Sequence, residues 1–259
     1  MIGAIAGDII GSCFEGHPAP PRDFDLFHLA CRFTDDTVCT IAVADAVMTG
    51  GDFASTLRAY VRRHPDRGYG GMFLNWALTD NAPAYGSWGN GAPMRVSAIG
   101  WLAESVQEAD DLAAAQAGVS HDHPTAIAAA QAVARAIFAL RTGEQVAAVR
   151  QRLTETFGYD LDPARALAGG GMDVSASGTV PPALAGAFES RDWESAVRTV
   201  IGLGGDTDTL ACIAGGVAEA IHGVPNAIAG QARNYLTDDL REVLDRFDHR
   251  AGRAGGSLD

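Results

Sequence analysis

Residues 124–141 read PTAIAAAQAVARAIFALR, and within them Ile127, Ala130, Val133, Ala134, Ile137, Phe138 and Leu140 recur at helical steps. That spacing lays a broad apolar stripe along one face of a helix. Pro124 suits the first turn, where no backbone N–H is needed, and Gly143 stands just past the far end. Ala-rich runs of the same texture occupy 37–48, 193–203 and 207–222. Alternating patterns of strand length are scarce, so the expected fold is all-α rather than α/β. So many small residues also predict helices in close approach. Gly- and Pro-rich stretches at 15–22, 67–71, 86–93, 168–182 and 202–206 read as loops, and motifs run through them. A single domain over 1–259 is expected, with a frayed end from about residue 248.

Two of the helical runs begin with dense acidic clusters, Thr34-Asp35-Asp36-Thr37 and Asp206-Thr207-Asp208-Thr209. Asp and Thr are common helix N-caps, and a single such cluster would be read that way. Two of them, each at a helix start, favour metal ligation over capping. Asp206 and Asp208 would point about 200° apart on a regular helix. To share an ion they must occupy the first turn or the loop leading into it, and Gly204-Gly205 supplies a flexible approach. Ligands made only of oxygen suit Mg²⁺ and tolerate Mn²⁺. Paired ions point to metal-assisted attack by water, and hence to a hydrolase.

Composition narrows the partners. The chain has 259 residues, 47% of them hydrophobic and 20% charged, which is enough for a buried core and far from a disordered composition. A formal net charge of −13 argues against gripping a nucleic-acid backbone. An anionic substrate would instead need metal ions, backbone amides or helix N-termini. Cys13, Cys31, Cys39 and Cys212 show no CxxC spacing and read as reduced thiols of a cytoplasmic protein. The opening residues 1–8 have no basic start and are interrupted by Asp8, so no signal peptide is expected, and no apolar run is long enough to span a bilayer.

The remaining motifs are weaker alone. Asp8 lies inside an apolar helical stretch, where a buried polar contact is expected. Glu15 is an acidic residue on a loop, open to reading as an ordinary surface glutamate or as a proton shuttle. In Ser87-Trp88-Gly89-Asn90-Gly91, and in Gly68-Tyr69-Gly70-Gly71, glycines let backbone approach a phosphate and an aromatic can stack on a base. Ser120-His121-Asp122-His123-Pro124 lacks a third ligand at zinc spacing, so it reads as a helix start capped by Ser or Asp, with His121 facing a pocket.

Taken together, these stretches resemble the ADP-ribosylglycohydrolase family. The resemblance is carried by GDIIGSCFE (7–15), FTDDTVCTIAVADA (33–46), RGYGG (67–71), SWGNGAPMRVSAIGW (87–101), SHDHP (120–124) and IGLGGDTDTLACIAGGVAEAIHG (201–223). It implies a compact orthogonal helical bundle with two Mg²⁺ at the bottom of an ADP-ribose cleft. Thr34, Asp35, Asp36, Asp206, Asp208 and Thr209 fall on metal-ligand positions. Glu15 falls on the functional glutamate, and the proton would be handled by it or by an aspartate such as Asp36 or Asp206. Ser87, Trp88, Gly89 and Asn90 match the ribose and diphosphate loop, and Gly68, Gly70 and His121 match pocket positions.

The implied reaction is hydrolysis of the bond between the distal ribose and an acceptor on an ADP-ribosylated protein or small conjugate. Arginine-specific members often carry aspartate where this chain has Gly68, so serine-linked or O-acetyl-ADP-ribose is favoured over arginine-linked substrate. An inactive ADP-ribose-binding module and a Mg²⁺-dependent nucleotide phosphohydrolase are the alternatives. Gly178-Thr179-Val180-Pro181-Pro182 also resembles a family motif, with no chemical role assigned from sequence.

Overall fold

Three glycines at steps of four, Gly3, Gly7 and Gly11, form one edge of the first helix. The structure, a computed structural model, describes residues 1–252. A Cβ on Gly7 would sit 2.0 Å from the carbonyl oxygen of Ala211, and one on Gly11 2.4 Å from that of Thr207. Two helix backbones therefore touch here, in antiparallel register, through a strip that no larger residue could occupy.

The helices run in chain order as α1 (Ile2–Gly11), α2 (Asp35–Thr49), α3 (Phe53–Arg63), α4 (Gly71–Leu78), α5 (Ser97–Leu102), α6 (Val106–Gly118) and α7 (Pro124–Arg141). They continue as α8 (Val146–Phe157), α9 (Pro163–Ala166), α10 (Ala176–Phe188), α11 (Trp193–Ile201), α12 (Thr207–His222), α13 (Asn226–Tyr235) and α14 (Asp238–Arg250). No strand occurs among the described residues, only an isolated bridge between Gly89 and Ser175. The all-α expectation holds. No helix among them is long and apolar enough to cross a membrane.

The core is built around α12, which lies against α1, α7, α10 and α11. Every residue of α1, and every residue of α12 from Thr207 to Glu219, is buried. A helix covered on all sides need not be amphipathic, which is why these two show small residues on every face. Trp193 of α11 wedges against the pair and donates from Nε1 to the Gly215 carbonyl at 2.9 Å. Because α1 and α12 are antiparallel, the end of α1 carrying Asp8 meets the start of α12 carrying Asp208. The start of α2 closes on the same point: Thr34 caps it, accepting from Asp36 N at 3.3 Å.

Two sequence readings need correction. Residues 176–182, read as loop, form the first turns of α10 with Pro181 and Pro182 inside it. Ser175 caps that helix by accepting from Gly178 N at 3.0 Å. The start of α7 is capped by His123, not by Ser120 or Asp122. Asp122 instead accepts from Gly86 N at 2.6 Å, and the Ser120 hydroxyl is engaged with Arg95 and His121. As for the end of the chain, α14 runs through Arg250, and the rest of the stretch expected to fray includes 253–259, outside the described residues.

Candidate active site

Asp8 is fully buried and sits among four donors. Its carboxylate accepts from Thr34 N at 3.0 Å, Thr34 Oγ1 at 2.7 Å, Thr37 N at 3.2 Å and the Thr37 hydroxyl. Three of these contacts fall on Oδ2 and one on Oδ1, so Oδ1 keeps a lone pair free. Asp8 thus ties α1 to the first turn of α2 and holds Thr34 and Asp36 in place. The buried polar contact expected of Asp8 is there, at the heart of the site.

Around it the carboxylates converge. One oxygen each from Asp8, Asp36 and Asp208 lies within 4.8 Å of the others, and the same is true of Glu15, Asp206 and Asp208. Asp208 is common to both sets. Asp206 stands at the N-cap of α12 without a capping bond from its side chain; its Oδ2 accepts from Asn90 Nδ2 at 2.6 Å, and that amide also donates to Thr179 Oγ1 at 3.0 Å. Thr209 Oγ1 lies 3.3 Å from Asp36 Oδ2. Asp35 faces the same cleft but belongs to neither set of three.

So many carboxylates in a buried space repel one another and miss their hydration. Burial, then the charge of Asp8, pushes Asp35 up to about 8. Asp36 is raised well above the ordinary carboxylate value, by burial and by Asp8 and Asp35. Asp208 is raised likewise by burial and by Asp36. Asp8 is pushed only to about 6, because the Thr34 and Thr37 hydrogen bonds offset its burial.

The buried Oδ1 of Asp36 has no hydrogen-bond partner, which leaves it open as a ligand atom. An orphaned carboxylate oxygen, two sets of converging carboxylates and neighbouring threonine hydroxyls make a donor set that fits hard divalent cations. The absence of Cys and His from both sets argues against zinc.

A pH dependence follows for protein stripped of divalent ions. The folded state keeps protons on Asp8 and Asp35 that the unfolded chain, with carboxyls near 3.8, has released. That contribution to stability is fully present below the unfolded value. It is lost as pH rises through about 6 and then about 8. Melting temperature in EDTA should fall on the order of 10 °C across this window. Added Mg²⁺ should raise it most at the alkaline end. A pH-independent melting curve would contradict the electrostatic description.

Above the carboxylates opens a cleft of about 420 Å³. It is lined by Gly68 and Gly70 on one side and by Ser87, Trp88, Gly89 and Asn90 on another, with His121 beneath the second loop. Backbone bonds fix both loops: Asp35 N donates to Arg67 O at 2.8 Å, Asn90 N to Val174 O at 2.9 Å and Ala176 N to Trp88 O at 3.0 Å. Trp88 is 55% exposed, a large aromatic left on the rim. Glu15 is exposed, and partial desolvation followed by the Asp206 charge raises its carboxyl, against the opposing Arg32. His121 is buried and neutral, its imidazole pushed down to about 3 by burial and by Arg95.

The site residues named from sequence therefore gather at one cleft. The sequence reading missed the supports. Arg32 and Arg95 line the cleft alongside Phe73 and Tyr85, and nothing in their local spacing marks them. Thr179, from the motif without a role, props up Asn90. Asn90, expected to meet substrate, spends its amide on Asp206 and Thr179.

A family model described as ADP-ribosylglycohydrolase matches residues 1–256. ADP-ribosylhydrolase ARH3 of Homo sapiens is 26% identical over 332 residues, covering 95% of this chain and 92% of that protein. The protein of the same name in Xenopus tropicalis is 28% identical over 129 residues, spanning 38% of this chain and only 37% of its own length. Among solved structures, one described as an "ADP-ribosylglycohydrolase-related protein complex" superposes with a TM-score of 0.74. That match covers 98% of this chain and 97% of the other at 24% identity, a likeness of fold. With the motifs in order along the chain and gathered at one cleft, the chain belongs to the ADP-ribosylglycohydrolase family, hydrolases of the glycosidic bonds of ADP-ribose.

Proposed function

We propose that this protein is a Mg²⁺-dependent ADP-ribosyl-acceptor hydrolase that cleaves the bond between the distal ribose of ADP-ribose and its acceptor. The observation that carries the reading is the pair of carboxylate sets joined through Asp208 at the floor of the cleft. Held by Thr34, Asp35, Asp36, Asp206, Asp208 and Thr209, two Mg²⁺ ions (with Mn²⁺ able to replace them) would supply Lewis-acid charge for water activation and for orienting ribose hydroxyls.

The protein's own groups do the rest. Asn90 clamps one oxygen of Asp206, which lines the cleft. Glu15, exposed and with a raised carboxyl, takes the proton released as water attacks the anomeric carbon. Ser87 and Gly70 bring hydroxyl and backbone donors to the diphosphate, Gly89 N holds the Ser87 hydroxyl oxygen at 3.2 Å, and Trp88 stacks on adenine. Arg32, the exposed cation of the cleft wall, offsets the protein's acidity toward that diphosphate.

Serine-linked or O-acetyl-ADP-ribose is favoured over arginine-linked substrate. Gly68 has a φ of +92°, where a side chain is strained, and a Cβ there would lie 3.4 Å from Asp35 Oδ1. An aspartate to meet a guanidinium is thus absent from this position. One domain spans the chain, and four free cysteines suit a reducing cytoplasm.

The test is release of ADP-ribose from serine-linked and arginine-linked peptides and from O-acetyl-ADP-ribose, each with Mg²⁺ and with EDTA. Metal-dependent release from the first or third substrate supports the reading. Binding of ADP-ribose without release from any would favour an inactive module, and release of phosphate from a nucleotide would favour a phosphohydrolase. Within the same assay Trp88→Ala should raise KM about tenfold and leave kcat nearly unchanged, as loss of one stacking platform does. An unchanged KM would remove Trp88 from the adenine site.

A further inference from the structure

A second polar arrangement lies in the cleft wall. Arg95 is completely buried. Its Nε donates to Gln116 Oε1 at 2.6 Å and its Nη2 to the Gln116 carbonyl at 2.8 Å. Gln116 is held in turn, with Nε2 donating to the carbonyls of Ala92 and Ala113, both at 3.1 Å. This fixes which end of the Gln116 amide meets Arg95. The same Nη2 donates to Ser120 Oγ at 3.1 Å, and Ser120 Oγ lies 2.8 Å from His121 Nδ1. Gln116, Ser120 and His121 are all buried.

Hydrogen-bond accounting settles the direction of the last bond. Arginine is a donor only, so Ser120 Oγ must accept from it. That leaves the serine with one proton, and its remaining partner among the described residues is His121 Nδ1. If Nδ1 carried its own proton, the serine proton would be stranded in a buried site, at a cost of about 1–3 kcal/mol. We infer that Arg95 and Ser120 hold His121 in its Nε2–H tautomer, so that the ring presents a fixed hydrogen-bond donor to the cleft.

The rest of the surroundings agree. His121 N donates to Ala117 O at 2.7 Å, and the rings of Phe73 and Tyr85 stand 6.0 and 5.7 Å from the imidazole centroid. Nε2 lies beside Gly91, where a Cβ would come within 2.7 Å of it. Burial keeps the ring neutral across the physiological range, so one tautomer is the relevant state. A neutral N–H donor on this wall selects a ligand atom that accepts, such as a hydroxyl or diphosphate oxygen, and turns away a cationic group. Arg95, Ser120 and Gln116 are positioning residues acting through His121. The identity of the ligand rests on the proposed ADP-ribose reading, whereas the tautomer does not.

The experiment is a long-range proton–nitrogen correlation spectrum of the imidazoles in ¹⁵N-labelled, ligand-free protein, with His121→Gln used to assign the ring. A protonated Nε2 and an unprotonated Nδ1, unchanged from about pH 5 to about pH 8, are expected. An Nδ1–H pattern, or an average of both tautomers, would overturn the inference. Ser120→Ala should give a mixed tautomer and weaken ADP-ribose binding about tenfold, while Ser120→Thr, which keeps the hydroxyl, should restore both. Threonine failing to restore the tautomer would also overturn it. Should the alanine variant not fold, the wild-type and threonine spectra still decide. An Nε2–H spectrum in a protein that binds no ADP-ribose would support the tautomer and sink the substrate reading, so the two failures are separable.

Discussion

Asp36→Ala is expected to abolish hydrolysis, with kcat falling by a factor on the order of a thousand or more. Asp36 contributes to the first carboxylate set, its Oδ1 is the buried oxygen left without a partner, and its Oδ2 faces the Thr209 hydroxyl. The effect on stability should run the other way. With no ion bound, Asp36 is a buried carboxylate beside Asp8 and Asp35, raised well above its ordinary value by that company. Asp36→Asn removes the repulsion and keeps the volume, so metal-free protein should melt no lower than wild type. The gain in melting temperature on adding Mg²⁺ should shrink sharply in the variant. Near-wild-type turnover by Asp36→Ala would end the metal assignment.

Asp8→Ala should do the opposite in metal-free protein and cost about 3–5 kcal/mol of folding stability. Removing the carboxylate leaves two backbone N–H groups and the Thr37 hydroxyl without their acceptor, and leaves the Thr34 hydroxyl with only Asp36 Oδ2 at 3.3 Å. Asp8→Asn should also destabilise, because an amide puts N–H against at least one of those donors. Urea denaturation of Asp8→Asn and Asp36→Asn side by side separates the two roles: the first lowers the midpoint and the second does not. If both behaved alike, Asp8 would be acting as a ligand and not as the tie between α1 and α2. Turnover should fall with Asp8→Asn too, since Thr34 and Asp36 lose the anchor that places them.

Much of this was legible along the chain. The boundaries of α7 and α12 follow from periodicity and from residues such as Pro124, and the two acidic clusters mark helix starts. These are short-range effects, set by backbone geometry and solvation within a few residues. The loop reading held for 168–175 and failed over 176–182 for a related reason. Glycine and two prolines outweighed the apolar run Val180 to Leu184 on local grounds, yet Val180, Ala183 and Leu184 are buried in α10 by tertiary packing. The capping of α7 was missed because the hydroxyl and carboxylate that would have capped it are drawn to Arg95, His121 and Gly86.

By itself, then, the sequence determined that the chain is helical, where its main helices begin, and which acidic residues are candidates for one centre. Only the tertiary structure decided how those candidates divide their work. Asp8 is a scaffold, Asp36 an open ligand and Asp208 the carboxylate common to both sets, because Gly7 and Gly11 let α1 lie directly on α12 and bring residues about 200 positions apart within reach. Asn90, Thr179, Arg95 and Ser120 gained their roles the same way. A hydrogen bond depends on where two groups stand in space, and spacing along a chain carries that information only within one helix or turn.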